Sequence, residues 1–242
     1  MLTMASLESV EFDADKIVNF LKRQMQFRGI CQRILSQEVI ERTAQEQDVD
    51  VTADQIQAEA DRQRREMQLE NASDTHAWLA EQQVTPEQWE AGIRDRLLAT
   101  AVAEHLFAQE VDTYFVEHRL EFEQVTLYRL LVPYDALAQE LFYRIEEDEI
   151  SFYEAAHLYD VDAGRRLNCG YEGRYHRWAL PPQIAAVVFS REMGELIGPV
   201  KSEQGYELLL VEDRAPAELT DEIRQLIRDR LFQSWLSREI SG

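Results

Sequence analysis

The chain has 242 residues, 45% of them hydrophobic and 29% charged, which is the composition of a folded globular protein rather than a disordered one. Its formal net charge is −21, distributed along the length, and such a field repels phosphate backbones and anionic lipid heads. Nucleic-acid and membrane-surface functions are disfavoured on that ground, and the apolar runs are too short for membrane insertion.

Residues 13 to about 122 read as helix after helix. Asp13 or Asp15 can cap a first helix with the apolar stripe Ile17, Phe20, Leu21, Met25 and Phe27. Gly29 is expected to soften the join to a second segment carrying Ile30, Ile34, Leu35, Val39 and Ile40. Thr52 with Gln55 makes a capping-box pattern that opens a third, unusually polar helix running to about Leu69. Its sparse apolar points, Ile56, Ala60 and Met67, predict a largely exposed element. Ser73 is placed to cap a short helix holding Trp78 and Leu79. Thr85 followed by Pro86 is a strong start signal for the next, because proline at the first helical position gives up no hydrogen bond. That helix carries Trp89, Ile93, Leu97, Leu98, Val102, Leu106 and Phe107 on one side.

The pattern changes after Phe122. Residues 125–132 are rich in β-formers and end at Pro133, as a strand does. Helical periodicity returns over 135–146 and 151–159, and the polar stretch 160–177 reads as a loop. Pro181 and Pro182 introduce a short apolar helix to Phe189. Gly194, Gly198 and Gly205 then punctuate two short strands. The last helix, opened by Thr220, carries Ile223, Leu226, Ile227, Leu231, Trp235 and Leu236 on one stripe, and a helix that apolar must dock on something. The fold class is α+β and mostly helical. An all-α module, 1–122, is completed by the helix in 216–242, with an α+β domain, 123–215, inserted before it.

Local chemistry is sparse. Cys31 and Cys169 match no zinc or redox spacing and read as two separate thiols. Glu154 and His157 have the i, i+3 spacing of some metal sites, but without a second such pair no metal is expected, and no phosphate-binding or nucleophile motif implies a cofactor. The acidic N-terminal residues lack the basic flank and apolar core of a secretory signal, which predicts a cytoplasmic protein.

The segment Val49-Asp50-Val51-Thr52-Ala53-Asp54-Gln55-Ile56, then Trp78-Leu79, Val84-Thr85-Pro86-Glu87-Gln88-Trp89 and Ile93-Arg94-Asp95-Arg96-Leu97, follows the order of the N-terminal chaperone segment of the SurA family. Residues 111–122 resemble the connector into a parvulin domain. Leu130-Leu131-Val132, Ser151-Phe152-Tyr153-Glu154-Ala155-Ala156, Cys169-Gly170-Tyr171-Glu172-Gly173, Leu180 with Pro182, Ala186 and Phe189, and Gly198-Pro199-Val200 before Gly205-Tyr206 resemble the parvulin domain itself. The chain is therefore similar to the SurA and PrsA foldases. The resemblance implies a peptidyl-prolyl isomerase-family chaperone that binds unfolded or precursor polypeptides in a groove between its two parts. It implies substrate contacts at Leu180, Ile184, Phe189, Tyr171 and Trp178. It also implies an exported protein, against the cytoplasmic reading of the N-terminus.

The departures fall on the catalytic positions. Where parvulins carry a histidine on the first strand this chain has Arg129, and where they carry a second on the last strand it has Glu207. Tyr171 replaces an acid or thiol, and Ile184 replaces a pocket phenylalanine. A permanently charged guanidinium cannot reproduce a neutral imidazole network, so isomerase activity is expected to be weak or absent. Arg129 and Glu207 are expected to face one another as an ion pair, because burying either charge alone is costly. Two alternatives stand beside this: an active isomerase with a remodelled site, and an adaptor dedicated to one secreted peptide or protein partner.

Overall fold

The computed structural model describes residues 13–241, which form two compact units. The first contains residues up to Val111 together with those from Gln225 onward. The second is Asp112–Arg224.

The first unit is all helix: α1 (Ala14–Arg23), α2 (Phe27–Glu46), α3 (Ala53–Glu66), α4 (Ala72–Glu81) and α5 (Pro86–Phe107), joined by most of α11 (Asp221–Ser241). Its core lies between α2, α5 and α11, where Val39, Ile40 and Ala44 meet Leu98, Val102, Phe107, Phe232 and Leu236. Local signals set most helix starts. Thr52 and Gln55 form a complete capping box at α3, and Thr85 with Gln88 forms another at α5, with Pro86 at its first position. Asp13 caps α1 through the Asp15 N–H.

Three details differ from the sequence expectation. The break between α1 and α2 falls at Met25, in the left-handed region (φ 56°), while Gly29 lies inside α2. Asn71, not Ser73, caps α4, because its side chain reaches the Asp74 N–H. The polar α3 is less isolated than its composition suggests, since Ala60 is buried and Trp89 Nε1 donates to Gln63 Oε1 at 3.1 Å.

The second unit begins within α6 (Glu110–Glu117), at Asp112, and continues into a 3-10 turn, Arg119–Phe122. It is built on one antiparallel sheet: β1 (Gln124–Val132), β2 (Tyr171–His176), β3 (Leu196–Ser202) and β4 (Gly205–Ala215), in the order β2-β1-β4-β3. Helices α7 (Asp135–Glu146), α8 (Phe152–Tyr159) and α9 (Ala163–Leu167) connect β1 to β2, and α10 (Pro182–Ser190) precedes β3. The stretch 160–177, expected to be a loop, therefore holds a helix and an edge strand. The strand Tyr-Glu-Gly-Arg-Tyr-His has little intrinsic strand pattern and owes its form to pairing with β1, a non-local interaction.

Alternation along the strands separates two apolar layers. Val125, Leu127, Leu209 and Val211 pack with Leu180, Ile184 and Val188 around α10. Leu130, Val132 and Leu208 pack with Ala138, Leu141, Phe152 and Ala155 of α7 and α8. Arg129 and Glu207 alternate with the second set, so both project toward the α10 layer.

Candidate functional site

On the α10 side of the sheet, β1 and β4 are neighbours, but Arg129 and Glu207 are not direct cross-strand partners. Arg129 pairs with Leu209 and Glu207 with Leu131, so the two side chains meet on the diagonal. Arg129 Nε lies 3.7 Å from Glu207 Oε2, within ion-pair range but beyond a hydrogen bond. Neither atom has a hydrogen-bond partner among the described residues. The nearer anion is Glu172 on β2, whose Oε1 is 3.3 Å from the same nitrogen. Glu207 is 5% exposed and, with Asp160, one of the two buried charged residues among the described residues.

Glu172 links this pair to a second one. It accepts from Arg165 Nη1 at 2.6 Å, and Arg165 also grips Asp160 with two hydrogen bonds, Nε to Oδ2 at 2.7 Å and Nη2 to Oδ1 at 2.9 Å. Asp160 is buried and receives the Leu131 and Asp162 backbone N–H groups as well. Burial opposes the Arg165 charge, but the bonds from Asp160 and Glu172 outweigh it and hold the guanidinium well above its ordinary value. Tyr175 completes the cluster, its hydroxyl 3.2 Å from Glu172 Oε2. Burial pushes that phenol up, and the Glu172 carboxylate pushes it further. Three carboxylates and two guanidiniums thus form one connected cluster, reaching from Arg129, Glu172 and Glu207 on the strands to Asp160 and Arg165 at α8 and α9.

Of the residues expected to bind substrate, Leu180, Ile184 and Phe189 share the α10-side cluster, whereas Tyr171 and Trp178 make separate contacts. Leu180 and Ile184 are 8% and 5% exposed and belong to the core of the α10 layer. Phe189 is half-buried, with the Arg177 guanidinium 4.2 Å from its ring centroid. With Leu120, Glu123, Arg177, Arg214 and Pro216 it lines a shallow hollow of about 320 Å³. Tyr171 lies on the opposite side of the sheet, edge-on to Tyr128 at 5.4 Å, because the register shift after Leu127 turns it toward α8. Trp178 stacks on His176 at 5.7 Å and is half exposed. The aromatic cluster read from Tyr171, Tyr175 and Trp178 is therefore three separate contacts. His157 Nδ1 sits 2.9 Å from the Arg166 carbonyl oxygen, which can only accept, so that nitrogen carries a proton.

Sequence reasoning does not single out Asp160, Arg165 and Glu172. They stand in a polar stretch where charges look like a solvated surface; the Leu131 N–H holds Asp160 against β1, and the pairing of β2 with β1 brings Glu172 to Arg129.

Residues 132–213 match the family model of the PPIC-type peptidyl-prolyl isomerase domain, the rotamase family. The foldase protein PrsA of Halalkalibacterium halodurans is 25% identical over 238 residues, which is 95% of this chain and 70% of that protein. The chaperone SurA of Chromohalobacter salexigens is 36% identical over 109 residues, 45% of this chain, and the match spans only 25% of SurA. Among solved structures, the peptidylprolyl isomerase PrsA of Bacillus cereus superposes with a TM-score of 0.51 at 18% identity, covering 95% of this chain and 83% of that one. That likeness establishes a SurA/PrsA-like architecture, mostly helical with a small antiparallel sheet. The cytoplasmic placement expected from the acidic N-terminal residues does not stand, because the PrsA and SurA relatives are secreted or periplasmic foldases.

Proposed function

From its likeness to the PrsA and SurA foldases, we propose that this chain is a chaperone of the peptidyl-prolyl isomerase family that holds unfolded or precursor polypeptides and leaves the bond before proline close to its uncatalysed rate. One observation carries this reading: the Arg129 guanidinium, clasped by Glu172 and Glu207, stands where the family resemblance puts a catalytic histidine.

The physical argument is about what the site would have to supply. Rotation about the amide has a barrier of ~18–20 kcal/mol, and catalysis requires binding the twisted form better than either planar form. A proline ring would need an apolar slot on this face, yet Leu180 and Ile184 are already packed into the core. Arg129 also keeps its charge as the amide nitrogen gains its lone pair, with two carboxylates within 4 Å of its Nε. What the domain still offers is partly exposed apolar surface at Phe189 and Leu120, suited to weak contact with an unfolded chain.

Suppression of aggregation tests the holding function. Several unrelated unfolded proteins are expected to be protected at near-equal molar ratios, and Phe189→Ala is expected to weaken that protection. Protection of a single client only would favour a dedicated adaptor, and protection of none would sink the proposal.

A further inference from the structure

The negative charge of the chain is not uniform. Residues 13–35 carry Lys16, Lys22, Arg23, Arg28 and Arg33 against the two carboxylates of Asp13 and Asp15, a net charge of +3 in a chain of −21. The rest of the sequence therefore carries −24, and two of the three lysines lie in this one stretch. All five cations are exposed. Lys22, Arg23, Arg28 and Arg33 take part in no ion pair among the described residues, as is also true of Arg65, Arg96 and Arg238, whereas Arg42, Arg62, Arg64, Arg94 and Arg228 of the same unit do.

The same segment exposes apolar side chains. No residue of α1 is buried, and Ile17, Phe20, Met25, Ile34 and Leu35 are 47%, 53%, 90%, 53% and 45% exposed. On α1 the helical period places Ile17, Phe20, Leu21 and Val18 on one arc, with Lys22 at one edge and Lys16 and Arg23 at the other. Lys16, Ile17, Phe20 and Arg23 line a hollow of about 360 Å³ whose floor is almost wholly apolar. Apolar teeth flanked by long cationic side chains that can reach sideways to phosphates are the design of a helix lying in a lipid headgroup layer.

We propose that α1 and the first turns of α2 are a docking surface for an anionic lipid bilayer, on which the protein rests without crossing it. Charge complementarity selects this occupant. Pairing the face with its own copy about a two-fold axis would set +3 against +3. The local charge also reverses the inference drawn from the whole chain, because screening limits the reach of a surface potential to roughly 10 Å, so only the segment in contact decides. No helix among the described residues is long and apolar enough to cross the membrane, which fits a peripheral contact.

The test is co-sedimentation of the whole chain with vesicles of phosphatidylcholine alone or with about one third phosphatidylglycerol. Pelleting is expected only with the anionic vesicles, and molar salt should release it. The exposed double substitution Lys22→Glu with Arg23→Glu is expected to lower the bound-to-free ratio about tenfold or more, and Phe20→Ser is expected to lower it while leaving the circular dichroism and melting curve unchanged. Equal binding to both vesicle types, no binding to either, or anionic binding untouched by these substitutions would overturn the proposal. So would a sedimentation-velocity dimer that Phe20→Ser dissociates.

Discussion

Arg129 Nε on β1 lies 3.7 Å from Glu207 Oε2 on β4 and 3.3 Å from Glu172 Oε1 on β2, so one guanidinium ties together the three strands at the centre and edge of the sheet. Removing the cation alone leaves a carboxylate that is 5% exposed with no counter-charge from Arg129. Arg129→Met is expected to destabilise the fold by about 3 kcal/mol, and Glu207→Leu by less, since Arg129 keeps Glu172. In urea unfolding the double variant should recover part of the loss, with a coupling of roughly 1–3 kcal/mol. Strict additivity would mean that the two residues do not interact.

The deepest ion pair is that of Arg165 and Asp160, whose side chains are 15% and 0% exposed. Arg165→Met strips a buried carboxylate of a bidentate partner and is expected to cost about 3–5 kcal/mol by denaturant titration. Arg165→Lys should fall between, because an ammonium keeps the charge and loses the fork. A loss below about 1 kcal/mol, the scale of an exposed pair, would show that the site is open to water.

Tyr175 reports the electrostatics of the same cluster. Burial first, and the Glu172 carboxylate second, raise its phenol above the ordinary value. A group whose folded value is raised contributes stability fully below its unfolded value, near 10 for tyrosine, and loses it as the pH rises through the folded value. Ultraviolet difference titration of the native protein against Tyr175→Phe should show one phenol ionising late, and alkaline unfolding should be displaced to higher pH in the variant. A phenol titrating normally would place Tyr175 in solvent.

Gly170 sets up β2. Its φ is +89°, and a Cβ there would lie 2.9 Å from both the Arg129 carbonyl oxygen and Ala156 Cβ. The Arg129 N–H donates to the Gly170 carbonyl at 2.8 Å, so the backbone at this point cannot drift away from β1. Gly170→Ala is expected to destabilise by roughly 2 kcal/mol or more, from strain and close contact together. Thermal melting checks it, and an unchanged midpoint would contradict the geometry.

Local chemistry makes much of the fold legible in the amino-acid sequence. Thr52 with Gln55 and Thr85 with Pro86 announce their helices because a cap acts within a few residues of itself. Strand β1 and helix α8 show through patterning alone, and the structure adds Ser151 as the cap of α8. The elements that do not show depend on distant partners. Strand β2 exists through β1, more than 40 residues earlier in the chain, and the Asp160–Arg165–Glu172 relay exists through β2. The candidate peptide-binding residues follow the same rule: the segment of Tyr171 is visible in the sequence, but the register shift that turns its ring away from α10 is not.

The proposed function holds that a site with Arg129 between Glu172 and Glu207 does not turn over proline bonds. Nuclear magnetic resonance exchange spectroscopy on proline tetrapeptides, with each residue type before proline, measures cis–trans interconversion in the presence of the protein most directly. Interconversion is predicted to stay at the rate seen in buffer for every peptide. Exchange that is accelerated by the protein, scales with its concentration and is abolished by Leu180→Asp in a variant that remains folded would contradict the account and establish a working isomerase built around Arg129.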